Sequence, residues 1–370
     1  MLIDDKEIYE LCLIPTERCN LRCVYCLVNK EHGHSMSFAT AKRAIDEMIA
    51  EPHPFEYYKI LYMGGEPLLN LPLLIQIEDY IQNTYPTKDI RYEIVTNGTC
   101  LTDRAMEWLE SIGRKTIFVV SIDGHKETHN AHRSNSFDQV NISFAQRMPH
   151  SHINMVITPD SLHKTLENLL FLSQYGIPVH MFIEEGLRWR HEHLALFESV
   201  LLEIVSYYLE HNELEPCHLL NNSLYLLEEE GIVLGCAQHN YSYAISANGE
   251  RYDCHRCMPF ENFGEFQIPQ SYIHNLSAAK MLSPHCASCY INKLCNSCPA
   301  SNASIIDRPA ATIHCQMVKI LYRAQAYFYL SLMVTNPSNP MITRYSRSQN
   351  INMVKAAERI LRTLDTSHAF

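Results

Sequence analysis

The stretch PTERCNLRCVYC, residues 15–26, places three cysteines, Cys19, Cys23 and Cys26, within eight positions. A tetrahedral zinc site uses four ligands, and a redox-active pair uses two cysteines. Three thiolates in one loop instead suit a 4Fe-4S cluster in which the protein holds three irons and leaves the fourth open. The spacing therefore indicates an iron–sulfur site, with an open iron where a further ligand binds.

The composition is that of a globular chain large enough for more than one domain. Its 370 residues are 46% hydrophobic, and the net charge of -11 comes without a long lysine or arginine block. This argues against binding to nucleic acid or to an anionic membrane. The start, residues 1–10, lacks the pattern of a signal peptide, and the apolar stretch 326–334 is about half the length of a membrane span. We therefore expect a cytoplasmic protein, with residues 326–334 in a packed helix.

Fourteen cysteines are many for a chain in a reducing compartment, where disulfides do not persist. Three stand near the start, and most of the others lie between residues 217 and 315. This distribution predicts two metal-bearing regions. Cys12 and Cys100 fall outside both, and we interpret them as small hydrophobic side chains.

Short apolar stretches alternate with amphipathic stretches of helical period over the first 215 residues. Six apolar stretches are predicted to be buried parallel strands: 11–16, 58–65, 91–98, 115–124, 152–159 and 178–186. Helices are predicted at 71–85, at 102–113 with Thr102 as N-cap, at 163–176 and at 191–213. About six βα units of this kind predict an α/β sheet curved into a partial (β/α)6 barrel, similar to a TIM barrel.

The chemistry of such a barrel lies where strands are followed by loops at their carboxyl ends. The three cysteines follow the first predicted strand, and MGGEP (63–67) ends the second. TNGT (96–99) ends the third strand, and SIDG (121–124) ends the fourth. We therefore expect these four motifs to converge on one edge of the sheet.

The cysteine motif closely resembles that of the radical S-adenosylmethionine (SAM) enzymes, which is Cys-x3-Cys-x2-Cys with an aromatic residue, here Tyr25, before the last cysteine. The resemblance implies that Cys19, Cys23 and Cys26 hold a catalytic 4Fe-4S cluster that binds SAM. It also implies an external electron donor such as flavodoxin or ferredoxin. Reductive cleavage of SAM would then give a 5'-deoxyadenosyl radical that abstracts a substrate hydrogen.

Further motifs match the positions with which this family binds SAM. The segment GGEP resembles the one that takes the SAM ammonium group, with glycines that let the backbone approach the ligand and Glu66 as acceptor. Each motif alone is also typical of a strand-end turn or a solvated charge, but their shared order favours the family. The SAM pocket implied by the resemblance consists of Gly64, Gly65, Glu66, Thr96, Asn97, Ser121, Asp123 and Arg133.

Past Pro216 the sequence changes to short segments, turns and cysteines, which indicates a second domain. This region resembles the SPASM extension of radical SAM enzymes that modify peptides and proteins. The matching positions are Cys236, Gly249, Cys254, Cys286, Cys289, Cys295 and Cys315. Cys298 departs from the pattern, because two residues separate it from Cys295 where the family usually has three. The predicted domains are the barrel at 1–215, a SPASM domain at 216–320 and a helical segment at 321–370, with a turn at 336–340.

The resemblance implies two auxiliary 4Fe-4S clusters in this region. One would be held by Cys286, Cys289, Cys295 and Cys315, and the other by Cys236, Cys254 and Cys298. The eighth ligand is left to Cys217, to Cys257 or to a substrate group at an open iron. Paired Cys-x2-Cys units are equally typical of zinc ribbons, so the local pattern leaves zinc open.

Three functions follow from these features. The first is a maturase that abstracts hydrogen from a ribosomally synthesised precursor peptide and forms an intrapeptide crosslink, either a C–C cyclophane or a thioether. The second is an anaerobic sulfatase-maturing enzyme, which generates formylglycine. Those enzymes usually carry an Asp as proton acceptor where this chain has His255, a residue that also accepts protons. The third, a non-enzymatic zinc-binding protein, leaves the SAM motifs unexplained.

Overall fold

The computed structural model describes residues 8–28, 30, 33–55, 57–184, 188–221, 223–229, 242–258, 289–295 and 309–364. Cys236, Cys286 and Cys298, predicted as cluster ligands, lie outside the described residues. The chain divides into two compact units. The first consists of Met1–Val156, Leu170–Val179 and Ala237–Leu276, and the second of Ile157–Leu169, His180–Cys236 and Ser277–Phe370.

The sheet has eight strands in the order β6-β5-β4-β3-β2-β1-β7-β8. The first six strands are β1 (Ile8–Leu13), β2 (Tyr57–Tyr62), β3 (Asp89–Thr96), β4 (Thr116–Ser121), β5 (Ser151–Ile157) and β6 (Val179–Ile183). The neighbours from β1 to β5 are all parallel, which confirms the predicted α/β fold with an open partial barrel. All six strands end two or three residues before the predicted ends, because the motif residues form the loops themselves.

Two further strands were not predicted. β7 (Ser242–Ile245) pairs parallel to β1, and β8 (Arg251–Tyr252) returns antiparallel to β7. The amide of Ile14 continues this pairing by donating to the carbonyl oxygen of Ile245 at 3.1 Å. A segment from the cysteine-rich region of the sequence therefore extends the barrel sheet beside its first strand.

Helices follow the strands as the βα pattern predicts. They are α1 (Phe38–Ala50), α2 (Leu71–Thr84), α3 (Asp103–Ile112), α4 (Lys126–His132), α5 (Ile142–Arg147) and α6 (Thr165–Ser173). The predicted N-cap is confirmed, because the Thr102 side chain accepts a hydrogen bond from the Ala105 amide at 3.3 Å. α1 was not predicted, although Ser37 caps it in the same way through the Thr40 amide.

The sheet has one apolar and one polar face. Along β3, buried residues such as Tyr92 and Ile94 alternate with half-buried ones such as Glu93. On the half-buried face, Lys59 bridges Glu10 at 2.7 Å and Glu93 at 3.1 Å. Strands buried on both faces tend to be uniformly apolar, so this row of charges indicates a face that receives polar groups or water.

The second unit contains the long helices. They are α7 (Glu192–Glu210), α8 (Pro309–Thr335), α9 (Pro340–Thr343) and α10 (Arg347–Thr363), and α8 packs against both α7 and α10. The apolar stretch 326–334 lies inside α8 with Phe328 and Tyr329 almost fully buried, which confirms that it is a packed helix. No helix in the described part of the chain is long and apolar enough to cross a membrane.

Candidate active site

The loop after β1 carries the three predicted cluster cysteines, all half-buried. The amide of Cys26 donates to the carbonyl oxygen of Cys23 at 3.1 Å, which closes a tight turn between them. The Arg22 guanidinium donates to the carbonyl oxygen of Cys19 at 2.8 Å, and Lys30 donates to that of Leu21 at 2.8 Å. Two basic side chains therefore hold the loop in shape through its backbone.

The two glycines after β2 support this loop. The amide of Gly65 donates to the carbonyl oxygen of Thr16 at 3.0 Å, and that of Glu66 donates to that of Arg18 at 2.8 Å. A Cβ atom on Gly65 would lie 2.2 Å from the Arg18 oxygen, and one on Gly64, which has a φ of +127°, would lie 2.5 Å from Ile14. Only glycine fits such contacts. The predicted approach to a ligand thus has a second partner, the backbone that leads into the cysteines.

The carboxylate of Glu66 is buried between the ends of β2 and β3. One oxygen accepts hydrogen bonds from the Leu68 amide at 3.1 Å and the Thr96 hydroxyl at 2.8 Å, and the other accepts from the Asn97 amide at 2.8 Å. Burial raises the pKa of Glu66 to about 7, although these hydrogen bonds oppose the shift. A cationic ligand would favour the ionised carboxylate, as expected of a residue that accepts an ammonium group.

Asn97 links this carboxylate to the first cysteine. Its side-chain amide lies 2.9 Å from the Asn20 side-chain oxygen and 3.8 Å from the Cys19 sulfur. The Leu21 amide also donates to that sulfur, at 3.4 Å. Asn20 and Thr99, joined at 2.7 Å, complete the network and were not predicted, because short polar side chains after a strand resemble ordinary turn residues.

Asp123, fully buried after β4, is the centre of a second network. It accepts hydrogen bonds from the Arg133 guanidinium at 2.9 and 3.2 Å, the Tyr25 hydroxyl at 2.6 Å and the Val156 amide at 3.0 Å. The His132 Nδ1 lies 3.3 Å away. Burial alone would raise the pKa of Asp123, but the Arg133 charge and the hydrogen bonds hold it well below its usual range. Asp123 thereby joins Tyr25 and Arg133, two other predicted SAM-site residues.

Two histidines of α4 support this network and were not predicted. His129 is fully buried, accepts from the Asp123 amide at 3.4 Å and lies 3.0 Å from the Ser136 hydroxyl. Burial, followed by the Arg133 charge, lowers the pKa of His129 to about 4, so it is neutral at physiological pH. The carbonyl oxygen of His132 accepts from the Val24 amide at 2.9 Å, which joins α4 to the cysteine loop. The only sequence signal was the spacing of the two histidines on one helix.

The predicted convergence of the four motifs is therefore confirmed. The GGEP segment contacts the cysteine loop, Glu66 contacts the end of β3, and Asp123 contacts Tyr25. Ser121, the last predicted SAM residue, is buried at the end of β4, in register with Asn154 of β5. All these contacts lie within the first unit, at the carboxyl edge of the sheet.

Two further cysteines of the first unit lie in a turn after β8. Cys254 and Cys257 are buried, and the Cys257 amide donates to the Cys254 carbonyl oxygen at 2.9 Å. The Arg256 amide and the His255 Nδ1 lie 3.4 and 3.8 Å from the Cys254 sulfur. The turn therefore places Cys254, Cys257 and His255 together.

The predicted ligands of the second unit occupy two elements. Cys289 and Cys295 belong to one turn, in which the Asn292 amide donates to the carbonyl oxygen of Cys289 at 3.0 Å. Cys315 is exposed on α8. Cys217 is buried elsewhere in this unit, and burial raises its pKa to about 12.

The first-unit loop fits an iron–sulfur cluster better than a single ion. Within the described ranges, no three His, Cys, Asp or Glu side chains converge closely enough for one metal ion. A 4Fe-4S cluster binds each thiolate through a separate iron, so its ligands stand farther apart. Burial raises the pKa of Cys19 and Cys23, while Lys30 and Arg133 respectively oppose this. These positive charges suit thiolate ligands of an anionic cluster.

Residues 13–183 match the family model of the Radical SAM superfamily. They form a radical SAM domain. This span contains the cysteine loop and every residue predicted to contact SAM. Radical SAM domains bind SAM and a 4Fe-4S cluster, and the networks around Glu66 and Asp123 form the edge of the sheet where both are expected.

Curated relatives share this domain. An uncharacterized protein of Methanocaldococcus jannaschii is 40% identical over 114 residues, which is 31% of this chain and 38% of that protein. A GTP 3',8-cyclase of Clostridium botulinum is 28% identical over 234 residues, 60% of this chain and 70% of the cyclase. The chain thus spans well under half of the first relative.

Solved structures with the same fold cover more of the radical SAM chain. Native anSMEcpe with bound AdoMet and Kp18Cys peptide has a TM-score of 0.67 at 17% identity and covers 89% of this chain and 99% of its own. Streptococcus suis SuiB bound to precursor peptide SuiA has a TM-score of 0.53 at 19% identity and covers 79% of this chain and 71% of its own. At these identities the similarity establishes the fold, including the region that follows the radical SAM domain.

Proposed function

We propose that this protein is a radical SAM maturase that forms an intrapeptide crosslink in a ribosomally synthesised precursor peptide. The observation that carries the proposal is the radical SAM domain within a fold shared with two structures that hold peptides. One of these peptides is a precursor peptide, and the other structure also holds AdoMet. The polar half-buried face of β1 to β3 supports a polar substrate such as a peptide.

The residues of the carboxyl edge have distinct roles in this proposal. Cys19, Cys23 and Cys26 would hold the cluster, which together with SAM supplies a 5'-deoxyadenosyl radical for hydrogen abstraction. Glu66 accepts the SAM ammonium group through its buried carboxylate. Asp123 orients Tyr25, and the remaining predicted residues line the ribose and carboxylate of SAM.

We further propose two auxiliary 4Fe-4S clusters with the ligand sets predicted from the sequence. Cys257 is favoured over Cys217 as the eighth ligand, because it lies in the same turn as Cys254. Cys217 instead lies beside the Tyr208 hydroxyl and the amides of its own turn. An auxiliary cluster would accept the surplus electron of the two-electron oxidation, while an external flavodoxin or ferredoxin reduces the SAM cluster. This chemistry is consistent with a cytoplasmic location.

The metal content tests this arrangement. Anaerobically reconstituted protein should contain three 4Fe-4S clusters, about twelve irons, and little zinc. Iron and zinc would be measured by plasma emission, with visible absorption that fades in air as the companion signal. Stoichiometric zinc without iron would contradict the proposal and support a zinc-binding protein.

A second candidate is formylglycine formation, as in anaerobic sulfatase-maturing enzymes. His255 occupies the position where those enzymes usually carry their acidic proton acceptor, and its Nδ1 is 3.8 Å from the Cys254 sulfur. A neutral imidazole accepts a proton as readily as a carboxylate at neutral pH. The two candidates therefore differ in their product and not in their mass change, since both remove two hydrogens.

The reaction product distinguishes them. A precursor peptide encoded near this gene, incubated anaerobically with enzyme, SAM and reductant, should lose two hydrogens and gain a linkage that resists aldehyde reagents. Tandem mass spectrometry should lack backbone fragments between the joined residues, and a mixture without SAM should leave the peptide unchanged. An aldehyde-reactive product on a sulfatase-derived peptide would assign the second function instead.

A further inference from the structure

A cavity of about 460 Å³ lies at the edge of the sheet opposite the cysteine loop. It is formed by the end of α2, the start of β3 and the end of α3, all in the first unit. β3 is eight residues long, so at roughly 3.3 Å per residue the cavity lies about 25 Å from the SAM edge. None of the residues assigned to SAM or to the clusters lines it.

A buried carboxylate faces this cavity. Glu78 stands on the buried side of α2 beside Ile77 and Ile81 and is 9% exposed. Gln82 donates to its Oε1 at 2.7 Å, but Oε2 has no hydrogen-bond partner in the described part of the chain. A buried carboxylate oxygen without a donor is costly, which points to a ligand that supplies one.

The neighbouring tyrosines do not remove this charge. The Tyr62 hydroxyl is also buried without a hydrogen-bond partner among the described residues. Burial, followed by the Glu78 charge, raises the pKa of Tyr62 well above its usual range, and burial likewise raises the pKa of Tyr92. Both phenols are therefore neutral, and a positively charged group is the natural complement to Glu78.

The remaining lining gives the ligand its shape and its second charge. The walls are mainly aliphatic, with Ile81, Ile90 and Ile112. The exposed cations Arg114 and Lys115 lie at the end of α3. Aliphatic walls with an acid on one side suit an alkyl chain that ends in a cation, and an arginine at the rim suits a carboxylate.

We propose that this cavity binds a basic amino acid, with its side-chain cation on Glu78 and its α-carboxylate at Arg114 and Lys115. The ligand is arginine or lysine, either free or as the last residue of a peptide. Pairing with a cation satisfies Oε2, and the isoleucines cover the aliphatic stem. This site is separate from the proposed crosslinking reaction and does not depend on it.

Titration calorimetry on the full-length iron-loaded protein tests the proposal with L-arginine and L-lysine as probes. Norleucine lacks the cation and agmatine lacks the carboxylate, so each should bind at least about tenfold more weakly than its parent amino acid. The peptide Gly-Gly-Arg distinguishes the two sources: tighter binding than free arginine assigns a peptide terminus, and weaker binding assigns the free amino acid. Binding of neither basic amino acid nor the peptide would overturn the proposal.

Two variants provide independent checks. Glu78→Gln should weaken arginine binding about tenfold or more, and Arg114→Ala, at an exposed position, should weaken arginine but not agmatine. Glu107→Gln on the exposed side of α3 is the matched control and should bind like the wild type. Equal affinities for arginine in all three variants would refute the site even if Glu78→Gln folds poorly, because Arg114→Ala does not alter a buried position.

Discussion

Replacing Cys23 with alanine should reduce 5'-deoxyadenosine formation by more than about 100-fold, because the SAM-binding cluster would lose one of its three protein ligands. The Cys23 carbonyl closes the turn to Cys26, and alanine keeps this backbone bond. The loss would therefore come from the thiolate and not from the loop. Iron should fall from about twelve to about eight atoms per chain, because the proposed auxiliary clusters lie outside this loop.

Cys100→Ala is the matched control for this experiment. Cys100 is also half-buried, and its sulfur lies 3.9 Å from the Thr99 hydroxyl rather than in the cysteine loop. The control should keep its iron and its rate of SAM cleavage. Normal SAM cleavage by Cys23→Ala, measured by liquid chromatography of 5'-deoxyadenosine, would show that these cysteines do not hold the SAM cluster.

Replacing Asp123 with asparagine should lower the free energy of unfolding by about 3–5 kcal/mol, because it leaves the buried Arg133 charge uncompensated. Asp123 is fully buried and accepts hydrogen bonds from Arg133, Tyr25 and Val156. An amide nitrogen in place of one carboxylate oxygen would face these donors. Because the same network orients Tyr25 beside Cys26, SAM binding should weaken as well. Urea denaturation and calorimetry would measure the two effects.

The pH dependence of this effect has a definite sign. The pKa of Asp123 is lowered in the folded protein, so its stabilisation is present above the unfolded value of about 4 and is lost as the pH falls through the lowered pKa. The stability difference from Asp123→Asn should thus be constant near neutral pH and shrink in acid.

Asp138→Asn is the control, because Asp138 pairs with Lys126 at an exposed position with 70% of its side chain accessible. Such surface pairs contribute about 0–1 kcal/mol. Similar small losses in both variants would contradict the central role of Asp123.

The sequence was sufficient for the order of elements and for the composition of the SAM edge. Hydrophobic periodicity and turn residues are local signals, so they placed six strands and put Cys19, Glu66, Asn97 and Asp123 just after strand ends. Parallel strands present their carboxyl ends to one edge, and this geometric rule predicted that the motifs meet. The N-cap at Thr102 followed from the same local chemistry.

Other features depended on contacts between segments far apart in the chain. The pairing of β7 with β1, the close approach of Gly65 to Arg18, and the position of His129 under Asp123 all join distant residues. A polar side chain such as Glu78 on the buried side of a helix likewise acquires its meaning from a cavity formed by other elements. Periodicity encodes whether a residue is buried, but its partners result from the packing of the whole unit, where hydrogen-bond satisfaction and excluded volume select one arrangement.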